Sequence, residues 1–172
     1  MKRLYIIRHA KSDWSEEGIS DFDRGLNKRG KRSLPLMGGY LVEERIMPQL
    51  ILSSPAKRAK KTAQELAWYV GIESNKIRYD EELYEATLQT LLGKVRLIPD
   101  RISCAFLVGH NPGLTELAEF VSGEQVGNIP TCGVLGIELY EEDWQSIGSK
   151  AGKIISFEYP KKYAKAWEHQ QE

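Results

Sequence analysis

Leu4-Tyr5-Ile6-Ile7-Arg8-His9-Ala10 is the stretch that decides the fold. Four apolar residues with β-branched and aromatic content read as a buried strand. An arginine and a histidine then appear abruptly where that strand should end. In open α/β sheets, ligands sit outside the carboxyl ends of the strands. Arg8 and His9 therefore stand where a strand hands reactive groups to a site. Two further segments repeat the pattern. Gln49–Ser53 reads as a second buried strand, and Ser54-Pro55 reads as a cap and a first-turn proline. A helix over Ala56 to about Val70 follows, with Arg58 in its first turn and Gly71 as its stop. Cys104–Gly109 is the strongest central-strand signal, and His110-Asn111-Pro112 comes directly after it. Asn111 reads as the cap and Pro112 as the first turn of a helix to about Val121.

The remaining segments fill in one α/β domain. Lys11 to Gly18 is polar and turn-rich, and Asp21 to Leu26 continues it. A loop of this length in a compact domain is more often functional than idle. Asn27 caps a helix over about Lys28 to Arg45, in which Pro35, Gly38 and Gly39 suggest a kink. Lys76–Tyr79 is a short strand, and a helix runs from near Thr87 to about Ile98. Gly133–Tyr140 and Lys153–Tyr159 alternate and read as a hairpin joined through the turn-rich segment Ser146–Gly152. Trp144 reads as a packing residue. Lys161 to His169 is a short terminal helix or tail, with His169 exposed and idle.

Composition narrows the function. The chain has 172 residues, enough for one domain with a substantial core. It is 41% hydrophobic and 28% charged, as in ordinary soluble proteins. Its formal net charge of zero argues against a nucleic-acid partner. No apolar run is long enough for a membrane span or a signal peptide. Cys104 and Cys132 lack paired spacing and read as buried thiols in a reducing cytoplasm. With three histidines, no HExxH and no CxxC, a zinc site is not expected.

If the three strands are parallel and adjacent, Arg8, His9, Ser54, Arg58 and His110 converge on one sheet edge. Two histidines, two guanidinium groups and two helix N-termini suit a phosphate dianion. Arginine forks pair bidentately with phosphate oxygens, and helix N-termini supply free N–H groups. Lys57, Lys60 and Lys61 also crowd the start of the second helix, where the dipole favours anions. They read as a solvated face, less anomalous if an anion binds among them.

These residues resemble the histidine phosphatase superfamily, the phosphoglycerate mutase-like enzymes. Arg8-His9-Ala10 is similar to the family's Arg-His-Gly. Ser53-Ser54-Pro55 with Arg58, Ala59 and Thr62 is similar to its second motif, and Val108-Gly109-His110 to its third. Asp21-Phe22-Asp23-Arg24 and Leu26-Asn27-Lys28-Arg29-Gly30 most resemble the SixA-like phosphohistidine phosphatase branch, although Gly25 stands where that branch commonly has proline. The resemblance runs from about Leu4 to Tyr159. It implies a three-layer α/β/α sandwich around a central, mostly parallel sheet. It also implies a metal-independent, cofactor-free phosphatase in which His9 takes the phosphoryl group. Arg8, Arg58 and His110 would bind its oxygens, with Ser12 and Arg24 as further phosphate contacts. In the wider superfamily a Leu-x-Glu element supplies a proton donor, and Leu83-Tyr84-Glu85 fits, so Glu85 is the candidate acid. SixA-like enzymes lack an acid there, because an imidazole leaving group needs less help.

The implied substrate is phosphohistidine on a protein, or alternatively a small phosphorylated metabolite. A phosphoglycerate mutase would need a closed pocket that protects a phosphoenzyme from water, and the short chain argues against it. A non-catalytic phosphate-binding module would be expected to have lost a core residue, whereas Arg8, His9, Arg58 and His110 are all present.

Overall fold

The computed structural model describes residues 1–163. His169 and most of the proposed C-terminal helix lie outside the described residues. Six strands form one sheet: β1 (Arg3–Arg8), β2 (Leu50–Ser53), β3 (Ile77–Tyr79), β4 (Cys104–Gly109), β5 (Val134–Leu139) and β6 (Gly152–Glu158). Their order is β3-β2-β4-β1-β5-β6. The four strands from β3 to β1 are parallel, and β5 and β6 add antiparallel pairings at one edge.

The alternation of β1 explains the layers. Leu4 and Ile6 face one side, and Tyr5 and Ile7 the other. The first side packs against α3 (Leu88–Arg96) and α4 (Gly113–Ser122) through Leu91, Val95, Leu114 and Leu117. The second packs against α1 (Lys28–Glu43) and α2 (Lys57–Val70) through Met37, Leu41, Ala63 and Leu66. A sheet covered on both faces needs strands apolar on both faces, which is why β1 and β4 read as continuous hydrophobic runs. The expected three-layer α/β/α sandwich is present.

Local details depart from the reading of the sequence. Helix α1 runs unbroken through Pro35, and Gly38 serves close packing: a Cβ there would lie 2.4 Å from the Tyr69 ring on α2. Helix α2 starts at Lys57, with no side-chain cap at Ala56. The Ser54 hydroxyl is not the helix cap; it accepts from Ala56 N–H at 3.2 Å and is otherwise committed to His110. Helix α4 begins at Gly113, one residue later than expected, yet Asn111 still accepts from the Thr115 N–H at 3.2 Å. Residues 140–151 make a long connection between β5 and β6 rather than a tight turn, and Trp144 is fully buried within it. Cys104 is only partly buried, whereas Cys132 is fully buried. No described helix is long and apolar enough to cross a membrane.

The long loop after β1 is pinned from beneath by α1. Asn27 accepts from Gly30 N–H at 2.8 Å, and its own N–H donates to the Lys11 carbonyl at 3.0 Å. A Cβ at Gly30 would lie 2.3 Å from that carbonyl oxygen. Gly30→Ala is therefore expected to cost about 1–3 kcal/mol, as overpacking against backbone does. Urea unfolding would read this as a lower midpoint; an unchanged midpoint would mean that the Lys11 segment yields freely.

Candidate active site

Three parallel strands end at one level. Arg8 pairs with Gly109 across β1 and β4, and Ser53 pairs with Val108 across β2 and β4. The next residues in each chain segment are His9, His110 and Ser54, and the first turn of α2 adds Arg58. The structure thus brings together the residues expected to converge. The imidazoles of His9 and His110 have ring centroids 5.1 Å apart. Arg58 Nη2 lies 3.4 Å from His110 Nδ1, and His110 Nε2 lies 2.8 Å from Ser54 Oγ. His9, Arg58 and His110 are only 7%, 7% and 8% exposed.

The hydrogen bonds assign the tautomers. His9 Nδ1 is 2.7 Å from the Ala10 carbonyl, which can only accept. Nδ1 therefore carries the proton, and Nε2 presents a lone pair. The Arg58 guanidinium can only donate, so His110 Nδ1 accepts from it, and His110 Nε2–H donates to Ser54. Both rings are neutral. Burial first, and then the Arg58 and Arg8 charges, hold the His9 pKa down at about 4. Burial, followed by His9 and Arg58, lowers that of His110 to about 3.

Backbone contacts fix the strand end. The Cys132 N–H is shared between the Arg8 and His9 carbonyls, both at 3.0 Å, and Cys132 takes a φ of 59° to make that turn. Thr62 Oγ1 accepts from Ala10 N–H at 3.0 Å and donates to the Arg58 carbonyl at 2.8 Å, tying β1 to α2. Arg8 Nη1 donates to the Ile129 carbonyl at 3.1 Å, while its Nε is buried without a partner.

Two residues not singled out from the sequence complete the cluster. Asp21 clasps Arg58: its carbonyl accepts from Nη1 at 2.6 Å and its carboxylate from Nη2 at 3.0 Å. The Tyr84 hydroxyl donates to the same carboxylate, and its ring packs edge-on against His110 at 5.4 Å. The Tyr84 bond and the Arg58 charge keep the Asp21 carboxyl below its ordinary pKa. Burial and Asp21 push Tyr84 up to about 12, so the phenol stays protonated. A helical turn, Asp21–Asp23, presents Asp21 where a plain loop was expected. An acid beside Arg24 and a tyrosine inside the Leu-x-Glu element were the available signals.

The other candidates lie at the rim. Ser12 is buried, in a loop bridged through its backbone to Leu26. Arg24 stacks on Trp14 with its guanidinium carbon 3.9 Å from the ring centroid, and its Nε is 3.9 Å from the Asp21 carboxylate. Glu85 is exposed, adopts a φ of 53°, and lines an open cleft of about 490 Å³ with Tyr84, Thr87 and Lys94. It makes no hydrogen bond or ion pair to the cluster among the described residues; its neighbour Tyr84 makes that contact instead. No described group of three or more His, Cys, Asp or Glu side chains is arranged to hold a metal ion.

Chemically, the arrangement sets a lone-pair-bearing imidazole beside the buried Arg58 guanidinium and the half-buried Arg8. That suits transfer of a phosphoryl group to nitrogen, with its oxygens held by cations. The known proteins to which the chain is similar agree. A solved structure from Agrobacterium tumefaciens, given the provisional name phosphohistidine phosphatase SixA, is 31% identical and spans 92% of this chain and 98% of its own, with a TM-score of 0.79. A structure of protein histidine phosphatase SixA complexed with tungstate shares the fold at 20% identity and a TM-score of 0.80, over 93% and 98% of the two chains. A mycobacterial glucosyl-3-phosphoglycerate phosphatase shares it more distantly, at 14% identity and a TM-score of 0.63 over 92% and 98%. Residues 4–102 match the model of the histidine phosphatase superfamily, branch 1. On the shared fold, the motif residues gathered at one sheet edge and this match, the chain belongs to the histidine phosphatase superfamily and is a phosphatase.

Proposed function

We propose that the protein hydrolyses phosphohistidine on a protein substrate through a phosphohistidine intermediate on His9. The observation that carries this reading is the neutral His9 ring, with Nδ1 bonded to Ala10 and the Nε2 lone pair free. An imidazole already unprotonated at neutral pH needs no general base to attack phosphorus. Arg8 and Arg58 hold the charge that spreads over the equatorial oxygens during transfer. For Arg58 to do so, the phosphoryl group must displace or share the Asp21 carboxylate. A dianion beside His110 raises its proton affinity, so Nδ1 gives up its bond from Arg58, takes up a proton from solvent and donates to the phosphoryl oxygens. Arg24 and Ser12 are the further phosphate contacts at the rim. As the bond from His9 Nε2 to phosphorus forms, the bond from phosphorus to the substrate imidazole breaks and that ring leaves with a proton from solvent. Water then attacks the phosphoenzyme, the His9–phosphorus bond breaks, and phosphate and neutral His9 are released. Guanidinium groups supply the positive charge, so no metal or cofactor is invoked. Support for a protein substrate comes from the likeness to SixA structures and from the state of Asp21, the carboxyl bonded into the cluster, which Tyr84 and Arg58 hold ionised and so without a proton to give an alkoxide.

A second reading, a phosphomonoesterase acting on a small metabolite, is favoured by Glu85 at the rim. Its carboxyl would protonate an alkoxide leaving group. Phosphate release is to be measured, with chelator present, from a histidine-phosphorylated peptide, from p-nitrophenyl phosphate and from an alkyl phosphate. His9→Ala is expected to lose activity on all three to below a few per cent, roughly the scale for removal of a nucleophile. Retained turnover would exclude His9 from that role. Glu85→Gln is expected to impair alkyl phosphate cleavage by about 10²-fold and leave the peptide nearly unaffected, as general-acid loss does. An equal loss on all substrates would remove Glu85 as the acid.

The depressed histidine values have a measurable consequence. His9 lies near 4 when folded against 6.5 ordinarily, so the unfolded chain binds more protons between those values. Stability should therefore rise with pH across that window and fall as the pH drops through it. Ring proton resonances followed by NMR should place the His9 and His110 inflections below pH 5, near the values of about 4 and 3. An inflection near 6.5 for either would contradict the buried, cation-flanked description.

A further inference from the structure

A second cleft, of about 420 Å³, adjoins the cluster through Arg24. Its cations are Arg24, Lys31 of α1, and Lys57, Lys60 and Lys61 of α2. Its carboxylates are Asp13, Glu16 and Asp23. Five cations face three carboxylates here, although the chain as a whole is neutral. Two of those carboxylates are also engaged by neighbouring serines: Asp13 accepts from Ser15 N–H and Oγ, and Asp23 accepts from Ser20 Oγ. Among the described residues Lys61 pairs with Glu65 at 2.8 Å, while Lys31, Lys57 and Lys60 have no ion-pair partner. All three are exposed.

The cations form an organised stripe. Lys57, Lys60, Lys61 and Gln64 follow helical spacing and line one face of α2. At 1.5 Å rise per residue the three lysines span about 6 Å from the active-site end of the helix, and Gln64 extends the face to about 10 Å. It begins at the N-terminal turn, where the dipole already favours anions and lysines are unfavourable unless an anion joins them. The Lys57 stem lies along Gly25, with Cε 3.5 Å from where a Cβ would sit, which holds this wall against the loop that carries Arg24. Trp14, 67% exposed, stacks on Arg24 at the edge.

We propose that this cleft docks a carboxylate-rich surface flanking the phosphorylated residue of a protein substrate. The inference rests on the phosphohistidine reading above and specifies the partner's chemistry. A lone phosphoryl group is served by Arg8 and Arg58. The lysine stripe has a use for a substrate whose further negative charges extend about 6 Å or more beyond that group, a reach suited to a polypeptide surface.

The test uses two synthetic peptides with a central phosphohistidine, one flanked by Asp and Glu and the other by Ser and Gln. The wild type, a Lys31→Gln/Lys57→Gln/Lys60→Gln variant and Lys57→Gln alone are compared, with p-nitrophenyl phosphate as the reporter of the chemistry. The wild type is expected to favour the acidic peptide roughly tenfold in kcat/KM at low salt, as several exposed charge pairs acting together would. That preference should largely vanish in about 0.5 M salt. The triple variant should lose the preference while keeping p-nitrophenyl phosphate turnover within about twofold, and Lys57→Gln should lose about a third to a half of it. Equal hydrolysis of both peptides by the wild type, or a preference that survives the substitutions, would overturn the docking groove and leave the phosphohistidine reading intact. If neither peptide is hydrolysed while p-nitrophenyl phosphate is, the phosphohistidine reading falls and the groove proposal with it.

Discussion

Burying a guanidinium group beside two imidazoles concentrates positive charge that the protein balances with a single carboxylate. Arg58 is almost wholly buried, and Asp21 is its only ion-pair partner among the described residues. The rest of the site follows from that constraint. A buried cation needs a partner or must bind one from solution. Asp21 meets the need in part, and Tyr84 in turn orients Asp21. Burial, and after it the same field, keeps the histidines neutral, one donating to Ala10 and the other accepting from Arg58. Among the described residues Arg8 Nε has no hydrogen-bond partner.

The sheet makes this possible. Parallel strands end at one level, and the register of β2, β4 and β1 sets their carboxyl ends side by side. The backbone on either side of His9 is held by bonds that leave its Nε2 unused. Thr62 joins Ala10 to α2, and the Cys132 N–H closes the turn behind His9. This separation leaves the His9 Nε2 lone pair uncommitted while its ring stays fixed. Electrostatics and packing thereby act on the same atom: burial lowers the proton affinity of His9, and the fixed tautomer aims the nitrogen that results.

Much of this was legible in the sequence for a physical reason. A strand buried on both faces must be apolar throughout, so the switch from Ile7 to Arg8-His9 or from Val108-Gly109 to His110 marks a carboxyl edge. The alternation of the edge strand β6 showed as well, because Lys153 and Ile155 are more exposed than Gly152 and Ile154 there. What the sequence did not show depends on how distant segments meet. The Asp21–Tyr84 contact joins residues 63 positions apart, through the path of two loops. Ser54 looked like a helix cap because serine before proline usually is one; the pull of His110 Nε2 redirected it. Gly38 looked like a helix weakness, yet it and Gly30 each admit a neighbour that any Cβ would exclude. Glu85 fitted a spacing pattern, but its side chain lies on the rim while Tyr84 reaches inward.

The central claim is that the neutral His9 imidazole accepts the phosphoryl group. Rapid acid-free quenching of the enzyme during turnover of p-nitrophenyl phosphate, followed by peptide mass spectrometry at alkaline pH, tests it directly. The account predicts a phosphoryl group on the peptide containing His9, stable to alkali, lost in acid and missing from His9→Ala. A phosphoryl group on another residue, or phosphate release with full turnover and no trapped phosphoenzyme, would contradict it.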